Sequence, residues 1–246
     1  MIVLQRSQKQ SQAEIFSAYG WREKNSLLQR LTTERCDYIE SRIERALGKG
    51  AFGQQEILEV GCGGGLLCEE LARRGLVVTG IDPSQGALEE ARLYVQKNYL
   101  GANAYFELGF AEALPYADGS FSVIVCLDTL EHVQNLRVCI QEIARVLAPG
   151  GVFVFDTINR TFMARLSLIW LGERFFQKNG LVPGLHNYSA FIKPRELQEL
   201  ISQNGLQVQE LIGFMPRIIE GRLTLGPGPF KSVSYVGYAT KGRADI

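Results

Sequence analysis

The densest set of reactive side chains is Asp128, Glu131 and His132, in the run Cys126-Leu127-Asp128-Thr129-Leu130-Glu131-His132-Val133. Asp128 precedes Glu131 by three positions and His132 by four, so a helical turn there would bring all three to one side. Two carboxylates and an imidazole could hold a divalent cation such as Mg and leave positions open for a substrate. A plainer reading has Glu131 and His132 cap the next helix and shape a pocket. His186, in Pro183-Gly184-Leu185-His186-Asn187-Tyr188, is a second group able to take a proton from a hydroxyl, its ordinary pKa being about 6.5. A structural hydrogen bond in a lid is its plainer role.

A second constellation lies upstream. In Ile57-Leu58-Glu59-Val60-Gly61-Cys62-Gly63-Gly64-Gly65 an apolar run meets glycines where a strand would feed a helix. Gly61 permits a tight turn, and Gly63 and Gly65 let the backbone approach a ligand. Asp82 ends the next apolar run, where a carboxylate can accept two ribose hydroxyls. A dinucleotide fingerprint would have its third glycine at position 66, which is Leu66. Glu59 adds negative charge beside the loop, which suits a cationic ligand better than a pyrophosphate. S-adenosylmethionine carries a sulfonium and an ammonium group. The expectation is adenosine towards Asp82 and the amino-acid end towards the glycine loop and Glu59. A dinucleotide site, or a turn that binds nothing, stays open. In Gly109-Phe110-Ala111-Glu112-Ala113-Leu114-Pro115-Tyr116, Phe110 could pack an adenine while Ala111 and Glu112 complete its pocket. A plain loop is the alternative.

These residues need a scaffold that gathers strand ends. Short apolar runs alternate with helical periodicity: strands at 56–60, 76–81, 104–108, 121–127 and 152–155, and helices at 64–74, 84–98 and 135–147. Ser84 is the expected N-cap of the second of these helices. A helix at 26–47 precedes them, and Pro149-Gly150-Gly151 stops the third. Such alternation implies right-handed crossovers and a mostly parallel sheet with helices on both faces. Further on, 160–176 reads as an apolar helical segment and 194–204 as a helix. Late strands are expected at 206–212 and 232–240, with a Gly-Pro-Gly-Pro loop between them. The expected organisation is a polar lead-in over 1–25 and a single domain over 26–246, with 160–190 as a helical lid or insert.

Composition excludes several classes. Twenty-six basic residues balance 26 acidic ones, which argues against general nucleic-acid binding. Hydrophobic residues make up 46% and charged residues 21%, which excludes extensive disorder. No run reaches the roughly 20 apolar residues of a membrane span, and Met1–Leu4 is too short for a signal peptide. Five cysteines, an odd number, argue against a disulfide framework and for a cytoplasmic setting. The aromatics and leucines of 160–176, interrupted by Arg165 and Arg174, suit peripheral membrane contact or cover for a greasy tail. A lid helix or a dimer contact would suit them equally, so monomer and homodimer both stay open.

Glu-Val-Gly-Cys-Gly-Gly-Gly, the later Asp82, Leu-Glu-His-Val and Leu-Ala-Pro-Gly-Gly resemble class I S-adenosylmethionine-dependent methyltransferases. Thr157-Ile158-Asn159-Arg160, Gly184-x-His186, Phe191-Ile192-Lys193-Pro194-x-Glu196-Leu197 and Leu225-Gly226-Pro227-Gly228 narrow the resemblance to the ubiquinone-biosynthesis O-methyltransferases (demethylubiquinol and polyprenyl-hydroxyphenol methylases). It spans about residues 26–240. It implies a Rossmann-like α/β fold with a seven-stranded sheet and one antiparallel edge strand. It implies S-adenosylmethionine as cofactor and methyl transfer to a phenolic or catechol hydroxyl, on a polyprenylated quinone precursor. By the same resemblance Arg35 binds the cofactor's carboxylate, Gly61 its amino-acid end and Asp82 its ribose. Leu127 lines the pocket, and Asp128, Glu131 and His132 fall on the family's metal positions, with Asp128 where the family usually has Glu. The chain departs from the family at Trp21, Thr32-Thr33, Ser122 and Phe214-Met215-Pro216-Arg217, which bears on the acceptor more than on methyl transfer. A methyltransferase of another small acceptor and a non-catalytic cofactor-binding protein are the remaining alternatives.

Overall fold

The computed structural model describes residues 16, 19, 21–22, 27–172, 186–219 and 222–243. Its chain order is α1 (Leu27–Leu47), β1 (Glu56–Val60), α2 (Leu66–Arg73), β2 (Val77–Asp82), α3 (Gln85–Lys97), β3 (Ala104–Leu108), β4 (Phe121–Cys126), α4 (Leu136–Val146) and β5 (Leu147–Ile158). A helical turn at Phe162–Ala164 then runs into a π-helical stretch, Arg165–Gly172. Beyond it come α5 (Pro194–Gln203), β6 (Leu206–Ile219), β7 (Arg222–Gly228) and β8 (Ser234–Lys241).

Among the described residues the strands form one eight-stranded sheet in the order β3-β2-β1-β4-β5-β8-β6-β7. Neighbours from β3 through to β5 pair in parallel. The expected Rossmann-like α/β class holds, with two differences. The expected antiparallel edge strand is present as β7, and a further antiparallel strand, β8, lies between β5 and β6. The eighth strand, β7, pairs antiparallel with β6 where a Gly-Pro loop was expected. An edge strand tolerates proline because the N–H that proline lacks would have faced outwards.

Both faces of the central strands are buried, and side-chain alternation sorts them. Ile57, Val123, Val125, Val152 and Val154 pack against Ile39, Ile43 and Leu71 of α1 and α2. Leu58, Ile124, Cys126, Phe153 and Phe155 pack against Ile140 and Ile143 of α4 and Leu197 of α5. Ser84 caps α3 as expected, its Oγ accepting the Ala87 N–H at 3.4 Å. Asn135 caps α4 in the same way, accepting from Val138 at 3.2 Å. All five cysteines are free and buried. The strand order reverses between β1 and β4, so the loops leaving their carboxyl ends diverge and open a crevice there.

Candidate active site

The glycine loop and Asp82 form one wall of that crevice. Gly61, Gly63 and Gly65 have φ values of +78°, +50° and +72°, the left-handed region glycine alone enters freely. The turn is tied to β2: the Gly61 and Cys62 N–H groups donate to the Ile81 carbonyl at 2.8 and 3.2 Å. Asp82 completes the tie, with Oδ2 accepting the Gly63 N–H at 2.9 Å and Oδ1 accepting the Ser84 N–H at 2.8 Å. Burial raises its pKa and these two N–H bonds restrain the rise. Each oxygen keeps a lone pair, and the residue borders the cavity together with Gly61, Pro83, Phe110, Ala111 and Glu112. Glu112 also spends Oε1 on the Gln134 and Asn135 N–H groups, at 2.7 and 3.3 Å, fixing the loop that leads into α4.

The space above the glycines is filled by protein. A side chain at Gly63 or Gly64 would strike Trp21, one at Gly61 would strike Thr129, and one at Gly65 would strike Ala91 and Phe106. In this structure Trp21 lies over Gly63 and Ala91 with Phe106 lies beside Gly65; of the three glycines, Gly61 borders the cavity. Trp21 is held there by its neighbour. The Arg22 guanidinium donates to the Gly64 carbonyl at 3.0 Å, pairs with buried Glu69 and lies 3.7 Å above the Tyr94 ring. Phe16 continues the roof, stacked on Trp21 at 5.9 Å between ring centroids and edge-on to His132 at 5.3 Å. These aromatics belong to the stretch expected to be a polar lead-in, and the run Ile15-Phe16-Ser17-Ala18-Tyr19-Gly20-Trp21 is the apolar signal within it.

Arg35, like Gly63 and Gly65, does not border the cavity, and two further expected cofactor residues, Glu59 and Leu127, lie away from it. Glu59 is buried beneath the loop, where its Oε2 accepts the Cys68 S–H at 2.8 Å. Burial pushes its carboxyl up to about 8, so the negative charge expected beside the ligand is largely titrated away at neutral pH. Arg35 and the Cys68 hydrogen bonds oppose that rise and Asp82 adds to it. A folded-state pKa above the unfolded value of 4.5 means the native state holds its proton longer, so this group's stabilisation declines from about pH 4.5 to about 8. Glu59→Gln should flatten the fall of melting temperature across that window; an unchanged slope would show the carboxyl ionises normally. Leu127, the other, packs in the core on the α1 side, and its carbonyl accepts the Thr129 hydroxyl at 2.8 Å.

The opposite wall follows β4. Asp128 has φ +48°, and the chain then turns over Thr129–His132, where the His132 N–H donates to the Thr129 carbonyl at 2.8 Å. Asp128 lies close enough to act on the charge of both Glu131 and His132, but the three do not converge as a metal-ligand set. Asp128 pairs with Arg35 of α1, the Arg35 nitrogen lying 2.6 Å from its Oδ2. Glu131 is buried, accepts the Thr157 hydroxyl at 2.8 Å, and is pushed up to about 8 by burial and by Asp128 and Asp156. His132 borders the cavity. Among the described residues no three His, Cys, Asp or Glu side chains are placed to hold a metal ion. A cation on the expected set fits this arrangement poorly, because Glu131 is buried, bonded to Thr157 and pushed up to about 8, so it is largely protonated at neutral pH. The His132 ring lies 5.9 Å from that of His186, and burial together with that neighbour lowers its pKa to about 4. It is a neutral imidazole at neutral pH, and the same burial makes it a weaker base than a free histidine. Asp156, unremarked in the sequence, lies behind both walls, hydrogen-bonded to Arg35 and to the Asp128 N–H.

The methyltransferase domain family matches residues 58–155, which span the glycine loop, Asp82 and His132. Among solved structures, magnesium protoporphyrin IX methyltransferase from Synechocystis PCC 6803 with bound S-adenosylhomocysteine has the same fold, with a TM-score of 0.65 and 19% identity over 95% of this chain and 99% of that one. A methyltransferase from Methanosarcina mazei gives a TM-score of 0.59 at 23% identity, over 77% of this chain and 93% of that one. Fold and site thus define an S-adenosylmethionine-dependent methyltransferase. Ubiquinone biosynthesis O-methyltransferase from Saccharophagus degradans is 35% identical over 84% of this chain and 83% of its own. Its counterpart from Histophilus somni is 36% identical over 80% and 81%. The chain belongs to the ubiquinone biosynthesis O-methyltransferase family.

Proposed function

We propose that the chain moves the methyl group of S-adenosylmethionine to a phenolic or catechol hydroxyl, on a polyprenylated precursor of the kind ubiquinone biosynthesis uses. The observation that carries this reading is that Asp82 and His132 border one cavity, a ribose acceptor on one wall and a neutral imidazole on the other. Asp82 takes the ribose hydroxyls, Phe110 and Ala111 flank the adenine, and Gly61 and Arg35 receive the amino-acid end. The acceptor oxygen attacks the methyl carbon in line with the C–S bond. That bond's electron pair returns to sulfur, giving S-adenosylhomocysteine, and the hydroxyl proton passes to His132. A free phenol, with a pKa of about 10, is a weak nucleophile at neutral pH, so a positioned base matters. Holding the two reactants in line supplies much of the remaining acceleration. His186, beside His132, is placed to orient it or the acceptor. A divalent cation on Asp128, Glu131 and His132 would require buried Glu131 to give up both its proton and its bond to Thr157.

Calorimetry with S-adenosylhomocysteine and with NADH tests the donor, and turnover of a short-tailed catechol quinol against other phenols, amines and carboxylates tests the acceptor. Binding of S-adenosylhomocysteine alone, with methylation of the catechol, is expected. Selective NADH binding would overturn the donor assignment, and preference for an amine or a carboxylate would overturn the acceptor.

The lipid character of such an acceptor finds a counterpart after β5. Phe162, Met163 and Trp170 are 72%, 52% and 61% exposed. The Thr161 hydroxyl bonds the Ser232 carbonyl, joining this segment to the loop that carries Phe230, itself 65% exposed. Among the described residues no helix is long and apolar enough to cross a membrane. Contact of this face with a membrane surface is the reading it supports, while 173–176 of the expected segment and 173–185 of the lid lie outside the described residues. Phe162→Ser with Trp170→Ser should cut flotation with anionic vesicles about fivefold or more while leaving donor binding intact. Undiminished flotation would reject the contact.

A further inference from the structure

Arg35 reaches from α1 to the ends of β4 and β5 and meets two unlike carboxylates. It donates a well-formed hydrogen bond to Asp156 Oδ2 at 3.0 Å. Its contact with Asp128 Oδ2, at 2.6 Å, is a close ion pair whose geometry falls short of a well-aligned hydrogen bond, although the two side chains still stabilise each other's charge. The Arg35 Nε–H is buried without an acceptor among the described residues. The Asp156 side chain is 6% exposed, whereas that of Asp128 is 40% exposed and borders the cavity. Asp156 also fixes its rival: Oδ1 accepts the Asp128 N–H at 2.6 Å and so holds the left-handed turn at φ +48°. A non-glycine residue persists in that conformation only where its surroundings determine it.

We propose that Asp156 is a positioning residue for the donor's amino-acid end, a permanent anchor for Arg35 that lets the arriving donor carboxylate replace Asp128 on the guanidinium. The proposal rests on the donor assignment above. A guanidinium offers five N–H groups in a planar fork, so it keeps one carboxylate while exchanging another. A third carboxylate around one cation is repelled by the other two, and the exposed, poorly directed partner is the one that leaves. Asp128, displaced, turns to the donor's ammonium group, which arrives with the carboxylate. Asp156 thereby acts on the donor through Arg35 and touches neither the donor nor the acceptor.

The test compares S-adenosylhomocysteine with methylthioadenosine, which lacks the amino-acid end, by calorimetry on the full chain. Asp156→Asn keeps an oxygen for the Asp128 N–H and removes the charge from Arg35. It should weaken S-adenosylhomocysteine about tenfold or more and leave methylthioadenosine within about twofold, with the donor KM rising and kcat largely kept. Arg35→Gln should give the same pattern, and the double variant little more than either single one. Equal losses for both ligands, no loss for S-adenosylhomocysteine, or simple additivity would overturn the proposal. If Asp156→Asn fails to fold by circular dichroism, Asp156→Glu, which moves the charge by one methylene, is read against the same outcomes. Failure of the unaltered chain to bind either adenosyl compound is a different result, and it would remove the donor assignment itself.

Discussion

Asp82→Ala should raise the dissociation constant for S-adenosylhomocysteine at least about a hundredfold. Two losses combine. The ribose loses a carboxylate, and a hydrogen bond to a charged group contributes about 1.5–3 kcal/mol. The glycine loop also loses its tie to β2 and α3, because Asp82 accepts the Gly63 N–H at 2.9 Å and the Ser84 N–H at 2.8 Å. Both donors would then be left short of a partner in a buried place. Asp82→Asn separates the two losses. Its amide oxygen can accept one backbone N–H, but its amine cannot accept the other and would face the ribose as a donor. A loss of about tenfold, between the unaltered chain and alanine, is expected for it. Calorimetry gives both constants, and a thermal melt without ligand reports how far the loop itself has loosened. An alanine variant that binds within about threefold of the unaltered chain would place the ribose elsewhere.

What could be read from the letters and what could not divides along sequence distance. Asp82, Gly61 and the Ser84 cap were legible because each sits at the end of a periodic run, where chain geometry follows from neighbours a few positions away. The positions of β1, β2 and β4 were legible for the same reason, as short, mostly apolar stretches of strand length. Asp156 was not. Its partners, Arg35 and Asp128, are 121 and 28 positions away, and no local pattern marks a carboxylate that bridges them. Arg35 entered only through family resemblance. The proposed convergence of Asp128, Glu131 and His132 assumed that the three face one point, whereas Asp128 leaves its strand left-handed and pairs with Arg35 while Glu131 is buried against Thr157. Aspartate tolerates that conformation better than most residues, but it does not announce it. The glycine loop teaches a related point. Its spacing was read as room for a ligand, while Trp21 and Thr129 occupy the room at Gly61, Gly63 and Gly64. Both readings ask for glycine, so composition could not separate them. The late strands failed at the edge. β7 carries Pro227 opposite Phe214, and a proline beside glycines resembles a loop until an edge position makes it harmless.

His132→Ala should lower kcat about a hundredfold or more while leaving donor affinity within about threefold. The split follows from placement. His132 borders the cavity on the β4 side, away from the Asp82 carboxylate and its tie to the glycine loop, so the donor keeps its ribose acceptor when the imidazole goes. The proton of the acceptor hydroxyl then has only water to receive it, and the population of phenolate at neutral pH is small against a pKa of about 10. Packing is the competing explanation, since the ring lies edge-on to Phe16 at 5.3 Å and near His186 at 5.9 Å. His132→Phe addresses it by refilling the space with a ring that accepts no proton. Loss of turnover in both variants, with binding of S-adenosylhomocysteine intact, identifies the imidazole's basicity as the contribution. Recovery in the phenylalanine variant would reduce His132 to a packing element of the Phe16 and Trp21 roof. A more acidic acceptor gives a further discrimination, because an acceptor already ionised at the assay pH has no proton to lose. With a nitrocatechol the penalty for removing His132 should shrink towards unity if the base reading holds, and it should persist if the ring only shapes the pocket.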